Sequence, residues 1–315
     1  MRRLGCGIFG PVASSVLAGT RVGFAGIDTS HPTAYAGLLR GWGCDLVAVY
    51  DPGLIHGPEA GATFAAQHGI SSVTSSLARL GSMCDLVFVN SADWTVKAPA
   101  ARTLAEAGAA VFVDKPLGGG HGDWQIYEGL VAAGARISGG SALQWIHRPA
   151  ATDARGGRFA VHGDVVDYGV HAAALALACL GTGVERVSAI RGEVGALVFD
   201  AFWSEGVRAR VEVHPGGPGG YDAWLETRAS PGEFTPVDID LSTLTRDHLE
   251  QALPYLLADG SPRWTIHDLL LPERMIAAAQ RSAQRGSSVD LSEQEPVQFD
   301  TASFIRRYRK AVGRG

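Results

Sequence analysis

Between residues 21 and 117 the chain alternates two kinds of segment, and this alternation constrains its fold more than any other feature. Val22 to Ile27, Leu46 to Tyr50, Leu86 to Asn90 and Val111 to Val113 are short runs of almost unbroken apolar residues. Between them, His31 to Leu39, Thr63 to His68, Leu77 to Leu80 and Ala98 to Ala107 carry helical spacing. A strand that is apolar on both faces must be covered on both, so the pattern predicts a parallel sheet between two layers of helices. Local signals agree. Pro32 falls in the first turn of a helix capped by Ser30 or His31, where its missing N–H costs nothing, and Gly108 stops the helix that ends at Ala107. Cys84-Asp85-Leu86-Val87 repeats the lead-in Cys44-Asp45-Leu46-Val47.

The pattern predicts one more helix, Trp124 to Ala133, and a last strand, Arg136 to Ser141, before it changes. Val187 to Gly192, Ala196 to Trp203, Val207 to His214 and Ala223 to Arg228 then alternate apolar with polar residues between Gly, Pro and Asp turns. Such strands predict a mainly antiparallel sheet with one face on helices and the other free to pair. Residues 215–220, rich in Gly and Pro, read as a loop; Pro254 to Leu257 and Ile266 to Gln284 read as helices, the latter ended by Gly286. A chain of 315 residues is long for one core and suits two. The expected division is an extension over 1–20, a first domain over 21–140 and a second over 141–315.

Composition excludes several classes of function. A formal charge of -5 and a pI near 6.1 leave no basic footprint for nucleic acid. No run approaches the ~20 apolar residues a spanning helix requires, so no membrane partner is expected. Cys6, Cys44, Cys84 and Cys179 show no Cys-x-x-Cys spacing and read as core thiols of a cytoplasmic protein, with neither disulfides nor a metal site. Met1-Arg2-Arg3 and the apolar stretch to Gly19 have the outline of a signal peptide. Gly7, Gly10 and Pro11 interrupt that outline, which favours an upstream extension or an early start.

In open α/β sheets, ligands bind at the carboxyl ends of the strands, and several chemically equipped residues lie there. Gly23-Phe24-Ala25-Gly26-Ile27-Asp28 ends the first strand with glycines that let a backbone approach a pyrophosphate at the start of a helix. Asp28 is an awkward neighbour for phosphate, so Thr29, Ser30 and backbone amides are the expected contacts. His31 either meets phosphate or nicotinamide or simply caps the helix. Asp51, at the end of the second strand, suits the adenosine ribose hydroxyls and repels a 2'-phosphate, predicting NAD(H) over NADP(H). Its plainer alternative is an Asp-Pro turn. Val111 to Val113 deliver Asp114, Lys115 and Pro116, and Lys115 taken alone would be a lysine capping a strand. Asp167 and His171 precede the apolar run Ala172 to Leu180. If Asp167 is already in the first helical turn, the i, i+4 spacing puts both on one face.

Together, Asp114-Lys115-Pro116, the glycine turn, Asp51 and Asp167-x-x-x-His171 resemble the glucose-fructose oxidoreductase, inositol dehydrogenase and rhizopine-catabolism (Gfo/Idh/MocA) family over about residues 21 to 295. The family signature is Glu-Lys-Pro, and Asp114 keeps its charge. The resemblance implies an α/β fold: a Rossmann dinucleotide-binding domain, then an α+β domain with a mainly antiparallel sheet that forms homo-oligomers. It also implies an NAD(P)-dependent oxidoreductase acting on a secondary alcohol or ketone of a sugar, inositol or related polyol. Ser91, Ala92 and Asp93 stand where the family carries Thr-Pro-Asn beside the nicotinamide, and Lys97 replaces a common histidine. Ala174 replaces a further acid. The segment between Arg148 and Asp167 is brief and Gly-rich, leaving Trp145, His147, Arg148 and Tyr168 as candidates to line a more open pocket. His171 is then the expected general acid/base, Asp167 a contact orienting substrate or imidazole, and Lys115 a cation that polarises the substrate oxygen and lowers the imidazole pKa. An imine or ketone reductase of secondary metabolism, or a non-catalytic dinucleotide sensor, are the alternatives.

Overall fold

The computed structural model describes residues 17–146, 153–190, 195–216, 220–258, 260–293 and 295–312. Its first part runs β1 (Arg21–Ala25), α1 (His31–Gly41), β2 (Asp45–Tyr50), α2 (Ala60–Gln67), β3 (Ser72–Val73), α3 (Leu77–Met83), β4 (Leu86–Val89), α4 (Lys97–Glu106), β5 (Ala110–Asp114), α5 (His121–Ala132) and β6 (Ile137–Gly140). The strands form one parallel sheet in the order β3-β2-β1-β4-β5-β6. Every residue of β4 and β5 is buried, as continuous apolar runs require. Phe24, Phe88 and Phe112 lie at one level of β1, β4 and β5. Their ring centroids are 5.7 and 4.8 Å apart, and Tyr35 of α1 packs on Phe88 at 5.2 Å. This aromatic row fixes the centre of the sheet under α1. The strand order reverses between β1 and β4, which opens a crevice at their carboxyl ends.

The second part comprises β7 (Ala154–His162), α6 (Gly169–Leu180), β8 (Val184–Ile190), β9 (Leu197–Trp203), β10 (Arg208–His214), β11 (Tyr221–Thr227), β12 (Phe234–Pro236), α7 (Leu244–Leu257), α8 (Ile266–Arg285), β13 (Val289–Asp290) and α9 (Thr301–Ala311). Its seven strands are ordered β12-β11-β7-β10-β9-β8-β13 and pair antiparallel except for β7 with β10. On the open face, Arg158 pairs with Glu212 at 2.6 Å and Arg210 with Asp200 at 3.0 Å. The other face packs on α6 and α8. Residues 169–179 of α6 are all buried, so this helix is apolar all round because it is covered all round. Thr265 and Asp268 form a reciprocal cap at the start of α8, and Gly286, at φ 70°, ends it where the sequence predicts. Cys44, Cys84 and Cys179 are buried and outside any disulfide. Among the described residues no helix is long and apolar enough to cross a membrane.

Besides the short strands β3, β12 and β13, three longer elements differ from the sequence expectation. The Gly-rich segment before Asp167 is, from Ala154, a nine-residue inner strand. A Cβ at Gly156 would lie 2.6 Å from Arg208 O, so the glycine marks a close approach of backbones and not a turn. Helix α7 begins ten residues before Pro254, and its apolar face packs on β5, β6 and α1, returning the chain to the first sheet. A buried histidine, His248, breaks its apolar period. Helix α9 lies wholly beyond the expected elements.

His248 Nε2 donates to Gly139 O at 3.1 Å, and its ring lies 4.9 Å from Phe112 and 5.2 Å from Trp145. Burial pushes its pKa from 6.5 down to about 4. The unfolded chain takes up this proton first as pH falls, so stability present above pH 6.5 is lost as pH falls through about 4. The loss is on the order of 2–3 kcal/mol. Urea midpoints of wild type and His248→Gln across that window check this; the variant should show the shallower pH dependence.

Candidate functional site

The turn after β5 concentrates the charge of the molecule's interior. Asp114 is buried, and its Oδ2 lies 2.6 Å from His31 Nδ1 while Oδ1 accepts from Lys115 N at 3.0 Å and Tyr35 Oη at 3.5 Å. Burial alone would raise its pKa, but the charge and hydrogen bond of His31, with Lys97 and Lys115, hold it well below the usual carboxylate range. Lys115 points away from Asp114. Its Nζ donates to Asp167 Oδ1 at 2.9 Å and Asp167 O at 3.1 Å, and lies 5.2 Å from the Tyr168 ring centre. Burial pulls its pKa down, yet the charges of Asp167 and Asp114 outweigh it, so Lys115 is held as a cation.

Asp167 lies before α6, whose N-cap is Tyr168, rather than in the first helical turn. Asp164 Oδ1 accepts from Val166 N at 3.0 Å and Asp167 N at 3.1 Å, and this turn sends the Asp167 carboxylate to Lys115. His171 is in the first turn of α6 and is buried, with Nδ1 2.7 Å from Ser141 Oγ at the end of β6. Burial, reinforced by the charges of Lys115 and His31, lowers its pKa well below 6.5. Asp167 and His171 are therefore brought together around Lys115 and not along a helix face. Tyr168 belongs to the same cluster, its ring 6.0 Å from that of His171. Trp145 does not: it is buried, and its Nε1 donates to Gly139 O at 3.0 Å. His147 and Arg148 lie outside the described residues.

The turn after β1 meets the loop after β4. Gly26 has φ 81°, and a Cβ there would lie 2.9 Å from Ser91 N, so both conformation and space demand glycine. Gly23 lies inside β1, where a Cβ would meet Cys84 Sγ at 2.6 Å; its role is packing, not the turn. Asp28 Oδ2 accepts from Ser91 Oγ and Ala92 N, both at 2.9 Å. That pairing turns the carboxylate inward, away from the mouth of the turn. Ser91 Oγ accepts from Asp93 N at 3.1 Å, and Asp93 caps the short turn Trp94–Val96. Thr29 Oγ1 accepts from His31 N at 3.3 Å, while Ser30 is the N-cap of α1 with no side-chain cap hydrogen bond. Asp51 follows β2. Its Oδ1 is buried with no hydrogen-bond partner among the described residues, and burial and the charge of Asp28 raise its pKa.

Sequence reasoning missed α9, which lies across these turns. Tyr308 Oη donates to Asp28 O at 3.0 Å, Arg309 Nη2 to Leu54 O at 2.6 Å, and Arg307 Nη2 to Asp164 Oδ2 at 2.6 Å, while Phe304 packs on Trp94 at 4.6 Å. The helix thus ties the turns after β1 and β2 to the loop before α6. The available signal was the cap at Asp300 followed by apolar Phe304, Ile305 and Tyr308 at helical spacing. Also missed was Glu273 of α8, which accepts from Leu117 N and from Trp124 Nε1 at 2.8 Å.

No protein-family model matches the chain, and no curated protein matches it. Solved structures do. GenD2 from gentamicin A biosynthesis, in complex with NAD, is 17% identical over 87% of this chain and 96% of its own, with a TM-score of 0.70. The scyllo-inositol dehydrogenase of Lactobacillus casei with bound NAD(H) and scyllo-inositol is 12% identical over 87% of this chain and 100% of its own, with a TM-score of 0.72. A protein described as an NADPH-dependent oxidoreductase, from Desulfitobacterium hafniense, is 12% identical over 87% of this chain and 98% of its own, with a TM-score of 0.74. The chain has the two-domain fold of the Gfo/Idh/MocA oxidoreductases, a parallel sheet followed by a mostly antiparallel one. At these identities the likeness is one of fold.

The Asp28 bridge carries a testable consequence. Asp28→Ala leaves the Ser91 hydroxyl and the Ala92 N–H without their buried acceptor, a loss of roughly 2–4 kcal/mol. Asp28→Asn, which keeps one acceptor oxygen, should lose less. Urea denaturation of both variants checks this; a wild-type midpoint for Asp28→Ala would mean that the bridge contributes nothing.

Proposed function

We propose that the protein is an NAD(H)-dependent oxidoreductase that moves hydride between nicotinamide and a secondary alcohol or ketone of a sugar, inositol or related polyol. The observation that carries this reading is the cluster of Lys115, Asp167 and His171 where the two parts of the chain meet, at the carboxyl ends of the parallel strands. NAD(H) bound to two proteins of the same fold supports it. The residues present also fit the cofactor. Asp51 Oδ1 is a buried acceptor lacking a donor, which a ribose hydroxyl supplies. Gly26 lets the turn after β1 pack on Ser91, and the amino end of α1 has no acid in its first turn, so Ser30 and the Thr33 N–H can face a pyrophosphate there.

A dinucleotide held there would supply the acceptor or donor of the hydride. His171 then has a defined task. With Nδ1–H donating to Ser141 Oγ, Nε2 presents its lone pair, and the lowered pKa keeps the ring neutral and able to take the hydroxyl proton. Lys115, held as a cation, stabilises the negative charge that develops on the substrate oxygen. Asp167 holds the Lys115 head group, a positioning role beside the contact to substrate or imidazole expected from sequence. The likeness to GenD2 and the buried Ala174 favour a second reading, a ketone or imine reductase of secondary metabolism using the same residues. The outer face of the second sheet, with its charged ladder, supports a homo-oligomer, and buried cysteines outside any disulfide support a cytoplasmic setting.

Two experiments test the proposal. Fluorescence titration should show tighter binding of NADH than of NADPH, and Asp51→Ala should weaken NADH binding; the reverse preference would sink the cofactor assignment. In an assay of NAD+ reduction over a panel of inositols and aldoses, Lys115→Met and His171→Ala should each lower turnover ~10²- to 10⁴-fold with little change in NADH affinity. Near-wild-type turnover in either variant would remove that residue from the mechanism.

A further inference from the structure

The inference concerns Lys97, which sequence comparison marks only as a substituted histidine. Lys97 opens α4 and is 1% exposed. Its Nζ donates to three consecutive carbonyls: Asp114 O at 2.9 Å, Lys115 O at 3.1 Å and Pro116 O at 2.9 Å. We infer that Lys97 is a positioning residue for Lys115: its buried ammonium fixes the backbone turn from which Lys115 reaches Asp167.

The stoichiometry favours this role over simple packing. An ammonium has three N–H donors, and three carbonyls of one turn take all of them. Those carbonyls lie at a buried strand end, where an unpaired acceptor is costly. The remaining groups of the turn are held from other directions. Lys115 N is bonded by Asp114 Oδ1 at 3.0 Å, Leu117 N by Glu273, and Leu117 O by Tyr127 Oη at 2.6 Å. Lys97 supplies the only side-chain donor to the carbonyls on its side, among the described residues. A buried lysine far from any acid would neutralise. Burial does pull Lys97 down to about 8, with Asp114, Asp167 and Glu273 opposing that fall and Lys115 adding to it. At neutral pH it therefore keeps the proton that completes the set.

The consequence is geometric. Lys115 leaves a turn whose carbonyls on both sides are pinned, so its four-carbon arm starts from a fixed Cα and a fixed direction. A displacement of about 1 Å at a reacting group costs on the order of 10²-fold in rate, so loosening this turn affects turnover before it affects cofactor affinity. The inference rests on the catalytic reading of Lys115 for its kinetic arm and on the backbone alone for its structural arm.

The test compares Lys97→Met, which keeps the length and removes every donor, with Lys97→Arg, which keeps donors. Hydrogen exchange of the peptide covering residues 110–118 should rise at least tenfold in Lys97→Met, with peptides of the second sheet unchanged, and Lys97→Arg should recover part of the protection. In the polyol assay, turnover of Lys97→Met should fall ten- to a hundredfold while NADH affinity stays within twofold. If Lys97→Met leaves exchange over residues 110–118 at the wild-type level, or if it weakens NADH binding as much as turnover, the inference is overturned. Should Lys97→Met not fold, Lys97→Gln decides: it lacks the third donor and the reach of the ammonium, and wild-type exchange over residues 110–118 in that variant overturns the inference too. Wild-type turnover in Lys115→Met together with raised exchange in Lys97→Met would instead reject the catalytic reading and leave the positioning role standing.

Discussion

Charge buried at the end of β5 is the constraint on which the rest of the structure depends. A carboxylate and two lysines occupy one strand terminus, where leaving any of them unpaired is costly. Each is given a partner from a different element. Asp114 takes His31 from α1, Lys97 takes three backbone carbonyls, and Lys115 takes Asp167 from the loop before α6. The positions of α1, α4 and the loop before α6 are therefore coupled through a single turn.

The same turn joins the two parts of the chain. Lys115 to Asp167, Ser141 to His171 and Leu117 to Glu273 all run between the first sheet and elements after residue 160. Helix α7 adds apolar contact to β5 and β6, and α9 adds hydrogen bonds to the turns after β1 and β2. One apolar cluster runs through both parts, and the buried polar pairs fix the direction in which they meet. A site built there inherits that precision.

Lys115 and His171 belong to one cluster, yet burial leaves the first a cation and pushes the second toward its neutral form. The structure separates them by environment. Lys115 and His171 are both buried, but Lys115 has an acid beside it and His171 has a hydroxyl, so burial is outweighed in the first and prevails in the second. Asp51 is the counterpart at the other end of the crevice, an acid with an unused oxygen. These are the features by which a dinucleotide and an alcohol would each find their own end.

The sequence by itself determined the parallel sheet, because β4 and β5 are apolar on both faces and only one arrangement covers both. It also determined that Asp51, Asp114 and Lys115 end strands, since acids, a lysine and a proline closing apolar runs have few other places to be. Tertiary structure decided what those residues touch. Gly23 and Gly26 look alike in a Gly-x-x-Gly turn, yet one packs against Cys84 inside the strand and the other takes φ 81° beside Ser91. Gly156, in a brief Gly-rich segment where the sequence predicts no strand, is a strand residue because another backbone passes close. His248 hid α7 by interrupting its apolar period, and α9 showed too little apolar surface to be read before its partners were in place. Asp167 and His171 promised a shared helix face and met around Lys115. Periodicity reports how much of a residue is covered, and so it reads sheets and helices well. It carries no record of the partner, and for buried charge the partner is what decides pKa, direction and use.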